Sequence, residues 1–569
     1  MKIKAIACAL CAVVLLSSFA FAEGLSVSGS THTATSGTTK FYDEDVEIIN
    51  GGHLIVSGVD TVLETGSNLI VCNYGSYGTR GQLSVTDGGH ISVSGTLFFA
   101  RLRPTADSFV MVNNGTVETN EIRIGGADEY TIPTLFTVTG SNSVVTASAG
   151  GISITGGSSH LTVQGGARVE GALFVSIVQS PTLAGVPVDS GGKVTVTGTG
   201  SVWDAQSKDV RLATVYDARG AQLEITNGGL FTGVDTLHIC YGGRTTGTVT
   251  VNSGTLQTNS IKMGTSQGTR ATMIVQGGGI VETGTITMDG RGYHHDNPVA
   301  YPTPADNKLI IGNGSTAGSV IATEIASGTS WNSEVIFSQT DAVNGSNFTA
   351  LMTGSLSITQ AGPGTTTLVK NHTYTGVTQV TNGKLIIDVG ASIGVGNVTV
   401  FTGGTLGGGG TINGLTAIDN KATLTPNGTL TFTNGLSVSS GATLVFGETD
   451  DIINVTGGEL ILDSGITLDL SALGNDLFGE LTLFTFSKDV WKGEEEDWDE
   501  LLKSWTVVGV DGWELAFEGG KLGIKYQNEQ IPEPGTWVMI LAGLGTLAGI
   551  QRLRRRQEDF RSHFPYGQK

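Results

Sequence analysis

Gly390-Ala391-Ser392-Ile393-Gly394 has the spacing of a nucleophile elbow, in which a strained turn between a strand and a helix exposes a serine hydroxyl to a general base. That chemistry needs Asp and His partners and a helix after the serine. The flanking sequence has the glycine-rich texture of strands and turns instead. Gly407 to Gly410 satisfy loose phosphate-loop patterns, but they precede a strand and lack the lysine that would meet a phosphate. His294-His295-Asp296 offers metal-ligating atoms inside a loop with Pro and Asn, where one or two ligands cannot close a site. Asp450-Asp451 and the run from Glu494 to Glu500 could attract calcium weakly, although a charged surface is the better account of them. Carboxylate pairs for glycoside cleavage cannot be recognised by spacing in a chain whose neighbours in space are one repeat apart. No catalytic, cofactor-binding or metal residue is therefore assigned, and no cofactor is expected.

The N-terminus carries a different kind of signal. Lys2 and Lys4 precede an apolar run from Ala5 to Leu16, and Ala20-Phe21-Ala22 has the small-x-small pattern of a signal-peptidase site. Cleavage after Ala22 would make Glu23 the first mature residue. A retained transmembrane helix is disfavoured, because the run is short and no stop-transfer charges follow it. Cys8 and Cys11 would leave with this segment. Cys72 and Cys240 remain, too few for a disulfide framework and unsuited to a CxxC metal site. They occupy similar places, after Leu69-Ile70-Val71 and Leu237-His238-Ile239, and read as small buried residues. The formal charge of −20 argues against a nucleic-acid partner.

Glycine supplies 85 of 569 residues, yet hydrophobic residues make up 39% and alternate with polar ones. That combination describes many short strands joined by glycine turns rather than a disordered chain. A phrase of alternating apolar residues, a polar residue or two and glycine recurs, as in Leu83-Ser84-Val85-Thr86-Asp87-Gly88-Gly89 and Leu223-Glu224-Ile225-Thr226-Asn227-Gly228-Gly229. Its last apolar residues are Val56, Val85, Val112, Val138, Val163, Val196, Ile225, Val251 and Val275, spaced by 29, 27, 26, 25, 33, 29, 26 and 24 residues. A period in the twenties that tolerates insertions predicts one solenoid coil per repeat. In the coil from Thr248 to Met263, Val249, Val251, Leu256, Ile261 and Met263 should point inward. The coils as read put mainly Thr, Ser, Asn and Gly outward. About twenty coils ~4.8 Å apart would form a rod on the order of 100 Å long.

Two resemblances follow from these residues. The units up to about Gly290, most clearly Val194-Thr195-Val196-Thr197-Gly198-Thr199-Gly200-Ser201-Val202-Trp203, resemble repeats of autotransporter passengers and of proteins with a PEP-type sorting tail. From Leu309 to Gly414, the phrases Gly362-Pro363-Gly364-Thr365-Thr366-Thr367-Leu368, Thr373-Tyr374-Thr375-Gly376-Val377-Thr378 and Asn382-Gly383-Lys384-Leu385 are similar to the autotransporter-associated β-strand repeat. Here His372 stands where asparagine is usual and Val377 where glycine is usual. The resemblance implies a parallel β-helix. The segment from Leu444 to Tyr526 is too short and too acidic to be read as a translocator barrel. It is expected to hold strands, a helix from Glu494 to Trp505 with Trp498, Leu501, Leu502 and Trp505 on one face, and a hairpin at Gly519-Gly520.

At the C-terminus, Pro532-Glu533-Pro534 is followed by a mainly apolar stretch from Trp537 to Ile550 and then by Arg552, Arg554, Arg555 and Arg556. This order resembles the PEP-CTERM sorting signal, which implies processing by an exosortase-like membrane protease or transpeptidase. The apolar stretch would span only ~21 Å as a helix, so snorkelling arginines would have to help it cross the bilayer. The positive-inside rule would hold those arginines in the cytoplasm.

The expected fold is all-β: a right-handed parallel β-helix with a small C-terminal cap and a terminal transmembrane helix. The expected divisions are a signal peptide at 1–22, glycine-rich solenoid repeats at 23–300, the autotransporter-associated repeat region at 301–445, a cap at 446–526 and a sorting tail at 527–569. The expected function is a structural or adhesive rod, anchored transiently in the inner membrane and then displayed at the surface or in the extracellular matrix. Expected partners are signal peptidase, the exosortase-like enzyme and extracellular polysaccharide. The competing reading is a polysaccharide lyase or hydrolase on the same scaffold, which would require Asp, Arg or Lys clustered on one sheet.

Overall fold

The structure, a computed structural model, describes residues 24–526 and 552, leaving aside 36, 73–80, 100–107, 126–133, 156–158, 177–191, 215–219, 267, 290–305, 329–331, 342–345, 475–479, 488, 492–496 and 511–512. Alternating apolar and polar residues produce strands with one buried edge, and parallel stacking of successive coils buries that edge. The expected parallel β-helix is what forms. Each coil has three walls. In the coil containing Thr246–Asn252, that strand forms the first wall, and the bent strand Thr255–Met263 forms the second and third. Val249, Val251, Leu256, Ile261 and Met263 are all fully buried.

The first wall is a ladder of eighteen strands from Thr31–Ala34 to Leu460–Leu462. Its pairings run from each coil to the next, so the wall is open at both ends and is not a closed barrel. One file of side chains passes along its whole length. Ala34 lies over Val56, Val56 over Val85 and Val85 over Val112. The same register continues through Val138, Val163, Val196, Ile225, Val251 and Val275. It then runs on through Ile311, Phe337, Gln360, Val380, Val400, Ile418 and Val438 to Leu462. Every anchor expected from the repeat phrase is in this file and buried. Gln360 is its one polar member.

The turn after each anchor explains the repeat phrase. Asp87 and Gly88 have φ of 54° and 89°, and Asn227 and Gly228 have 53° and 82°. Asp and Asn tolerate this left-handed region better than other residues with side chains, and glycine enters it freely. The glycine that follows is required by space: a Cβ on Gly89 would come within 2.4 Å of the Val56 carbonyl oxygen in the coil above. Polar residues on the outer side bond from coil to coil, as Thr226 Oγ1 does to Thr197 Oγ1 at 2.9 Å.

Between Gln360 and Val438 the anchors recur every 18 to 20 residues, so the coils are shorter than in the first half. Parallel stacking does not stop at residue 445. Thr443–Val445 pairs with Thr467–Asp469, which pairs in turn with Thr506–Val508. Among the described strands the direction reverses where Glu480–Phe486 meets Lys521–Tyr526, which pairs antiparallel with Trp513–Glu518 as well. The helix is described from Asp497 to Lys503. Its Trp498 is buried, with ring centroids 4.2 Å from Trp491 and 4.4 Å from Phe517, and Trp505 Nε1 donates to the Asp463 carbonyl at 3.2 Å. These rings pack beside the final coil. Among the described residues no helix is long and apolar enough to cross a membrane.

Candidate functional site

The residues flagged for chemistry are held in structural roles where they are described. Ser392 lies in the short strand Ser392–Ile393, and its Oγ donates to Asn371 Oδ1 at 3.2 Å. The nearby His372 is turned into the core, where its Nδ1 accepts from the Met352 amide at 3.1 Å, and burial lowers its pKa to about 4. Gly407 and Gly408 belong to the strand Gly404–Gly408, and a Cβ on Gly408 would come within 1.9 Å of the Ile387 carbonyl oxygen. The glycine run therefore reflects close approach of neighbouring coils. Asp451 is buried and accepts from the amides of Gly428, Gly447 and Glu448 at 2.7, 2.7 and 2.9 Å, so it ties a loop together. His294-His295-Asp296 and the residues from Glu494 to Glu496 lie outside the described residues, and the rest of that acidic run is in the helix Asp497–Lys503. No cluster of three or more metal-ligating side chains occurs among the described residues.

Cys72 and Cys240 are both buried and not joined in a disulfide, and both take positive φ, 66° and 64°, at the corner after the third wall. Cys240 Sγ reaches the Arg270 carbonyl at 3.3 Å, and burial pushes its thiol up to about 12. Such a thiol is a packing group and not a nucleophile at neutral pH.

The outer surface of the second wall is acidic. Glu118, Glu170, Asp204 and Glu282 lie along it, with Glu170 and Asp204 one coil apart in register. Arg168 lies between these two, 2.6 Å from each carboxylate. The pair is thus bridged by a cation rather than facing a cleft. A shallow polar groove of about 460 Å³ follows the corner toward the third wall, lined by residues that include Thr232, Gln257, Asn259 and Glu282.

The third wall differs, and here the outward surface departs from the Thr, Ser, Asn and Gly expected of it. Phe98, Arg123, Ser153, Phe174, Arg211, His238 and Lys262 stack one above another in a single outward file. Arg123 lies over the Phe98 ring at 5.6 Å, and Arg211 lies over Phe174 at 6.0 Å and Tyr241 at 4.7 Å. Asp209 holds the Arg211 guanidinium at 2.9 Å, and Glu121 holds that of Arg123 at the same distance. His238 packs edge-on against Tyr241, with ring centroids 5.1 Å apart. Burial holds its imidazole below the usual histidine range, outweighing the opposing pull of Asp209. Arg211 Nε and His238 Nδ1 are buried without a hydrogen-bond partner.

The signal for this file is present in the sequence, in triplets with an unusual centre between two apolar residues: Leu97-Phe98-Phe99, Leu173-Phe174-Val175, Val210-Arg211-Leu212 and Leu237-His238-Ile239. The outer residues of each triplet are buried, and the centre is on the opposite face, partly exposed in Phe98, Phe174 and Arg211 and covered in His238. Loop insertions of unequal length separate the triplets, which hides their alignment until the coils stack.

Ala20, Ala22 and Glu23 lie outside the described residues, as do Pro532, Glu533, Pro534, Trp537, Ile550, Arg554, Arg555 and Arg556; Arg552 alone of the tail is described, and it is exposed. Comparison with known proteins supplies the remaining identification. The chain is 27% identical over 284 residues to the Adhesin BmaC autotransporter of Brucella suis biovar 1 (strain 1330), a match that covers 48% of this chain and 8% of that protein. It thus spans a small fraction of the relative's length. Among solved structures, the TibC-catalysed hyper-glycosylated TibA fragment aligns with 72% of this chain and 98% of its own, at 14% identity and a TM-score of 0.25. Residues 530–556 match the PEP-CTERM protein-sorting motif. The chain is a parallel β-helix, similar over about half of its length to an autotransporter adhesin, and it carries a PEP-CTERM sorting motif at its C-terminal end.

Proposed function

We propose that this protein is an exported, adhesin-like rod displayed at the cell surface. The observation that carries this reading is the sorting motif at 530–556, which follows an uninterrupted stack of coils. A stack of this kind offers a long, stiff surface made from short repeats, suited to reaching away from a membrane. Signal peptidase would release the segment before Glu23. The stretch from Trp537 to Ile550 would hold the chain transiently in the inner membrane, with Arg552, Arg554, Arg555 and Arg556 on the cytoplasmic side. An exosortase-like enzyme would then act near Pro532-Glu533-Pro534. The similarity to an adhesin across about half of this chain supports the adhesive role.

The test is surface labelling of intact cells producing the full chain, in a host with an exosortase and in one without it. Display only in the first host is expected. A chain that stays inaccessible to label in both hosts overturns the reading.

A further inference from the structure

The outward file on the third wall combines features that a merely solvated sheet surface does not need. Aromatic rings occupy outward positions in two places, and an arginine lies against each set. Phe98 and Phe174 are three register steps apart, ~14 Å at the usual spacing of parallel strands. The pattern of ring followed by guanidinium therefore repeats along the rod axis. Rings beneath a guanidinium orient it and shield one of its faces from water, and the N–H groups not taken by Glu121 or Asp209 are left for a planar acceptor. Below the second arginine, His238 and the exposed Lys262 continue the file in register.

Charge narrows the ligand. From Phe98 to Lys262 the described charges on this wall are Arg123, Lys208, Arg211 and Lys262 against Glu121, Asp209 and Asp235. This gives a small positive excess on a chain of formal charge −20, beside a second wall lined with Glu118, Glu170, Asp204 and Glu282. The overall field opposes a dense polyanion such as nucleic acid. Two cationic sites separated along one axis suit a polymer whose negative groups are sparse. Arginine favours planar carboxylates, which it can hold through paired N–H bonds.

We propose that the file from Phe98 to Lys262, with Tyr241, is a docking strip for an extended acidic polysaccharide whose uronate carboxylates meet Arg123 at one level and Arg211 with Lys262 at another. This deepens the adhesive reading and rests on it for biological meaning, but the binding itself is independent of how the chain is sorted.

The experiment is affinity electrophoresis of the purified full chain, solubilised in detergent, through gels containing gellan, dextran or DNA. Gellan supplies widely spaced uronates, dextran none, and DNA a dense polyanion. Retardation by gellan alone is expected, and it should weaken as salt is raised. Lys262→Glu, at an exposed position, and Tyr241→Ala should each lower the apparent affinity about tenfold, roughly the effect of losing one charge-assisted hydrogen bond or one cation–ring contact. Lys421→Glu makes the same charge change at an exposed site on distant coils and should leave gellan binding unaltered. Equal losses in the two lysine variants, equal retardation by dextran, or retardation by DNA as strong as by gellan would each overturn the proposal. Melting curves of the variants that match wild type confirm that the strip, and not the fold, was changed. Surface labelling is read separately, so a rod that is displayed but ignores gellan refutes only the docking strip.

Discussion

Gln339 and Gln360, buried amides on successive coils, are joined through one hydroxyl: Thr366 Oγ1 accepts from Gln339 Nε2 at 2.7 Å and donates to Gln360 Oε1 at 2.7 Å. Gln360 Nε2 also donates to the carbonyls of Gly362 and Gly364 at 2.9 and 3.1 Å. This network replaces one rung of the apolar file, just where the coils become shorter. An amide there bonds to the glycine backbone of the new turn, which a valine could not do. Polar groups this deep are costly unless matched, so the junction is specified by hydrogen bonding rather than by volume.

Thr366→Val is nearly isosteric and removes the shared hydroxyl. It should destabilise the junction by about 1–3 kcal/mol, because Gln360 Oε1 loses its partner and Gln339 Nε2 retains only the Thr365 carbonyl at 3.2 Å. Hydrogen exchange will show the effect as faster opening of amides near Gln360. Unchanged protection there would mean that water or a rotated amide replaces the hydroxyl without cost.

In the apolar file, Ile225→Ala should cost about 2–5 kcal/mol, as a truncated core residue leaves a cavity between Val196 and Val251. The outward neighbour Thr195→Ala should change stability by no more than about 0.5 kcal/mol. Denaturant titration of both variants checks the alternation; similar losses would contradict the inward and outward assignment.

His372 links stability to pH. Burial lowers its folded pKa to about 4 from an unperturbed 6.5, so the unfolded chain takes up the proton more readily. Its contribution is therefore complete above pH 6.5 and is lost as pH falls from there toward about 4. The melting temperature should drop across that window, and His372→Asn should flatten this part of the profile. A slope that survives the substitution would assign the effect to other groups.

Ser392→Ala removes only a hydrogen bond to Asn371 at a half-exposed position. Melting temperature should be within error of wild type, and no hydrolytic activity should be lost. A serine-dependent hydrolysis of any ester or glycoside substrate would show that the turn has catalytic work to do.

Replacing Pro532-Glu533-Pro534 with alanines should leave export intact while blocking processing, so the variant accumulates uncleaved in the membrane. Wild type should be found shortened at the surface or in the medium. Deleting Arg552 to Arg556 should act earlier, by weakening orientation and retention. Mass spectrometry of the mature C-terminus decides this: wild-type protein that still ends at Lys569 in a host with an exosortase would leave the tail as an anchor alone.

The parallel β-helix was legible from residues close together in the chain. Val85, Asp87, Gly88 and Gly89 encode a strand end and its turn within a few positions, and repetition of that phrase predicts coils whose anchors must stack. The burial of Cys72 and Cys240 followed from the same repetition. The sorting motif was equally local, because a processing enzyme reads contiguous sequence. The ring and cation file on the third wall was not legible in this way. Phe98, Phe174, Arg211 and Lys262 are separated by loops of unequal length, and an unusual triplet centre by itself does not show which others it stacks on. Only the hydrogen-bonded register between coils aligns them. The bridge of Gln339, Thr366 and Gln360 has the same origin: alternation placed Gln360 on the inward side, but its partners come from the following turn and from another wall. Local alternation determines which way a side chain points, whereas coil stacking determines which side chains meet.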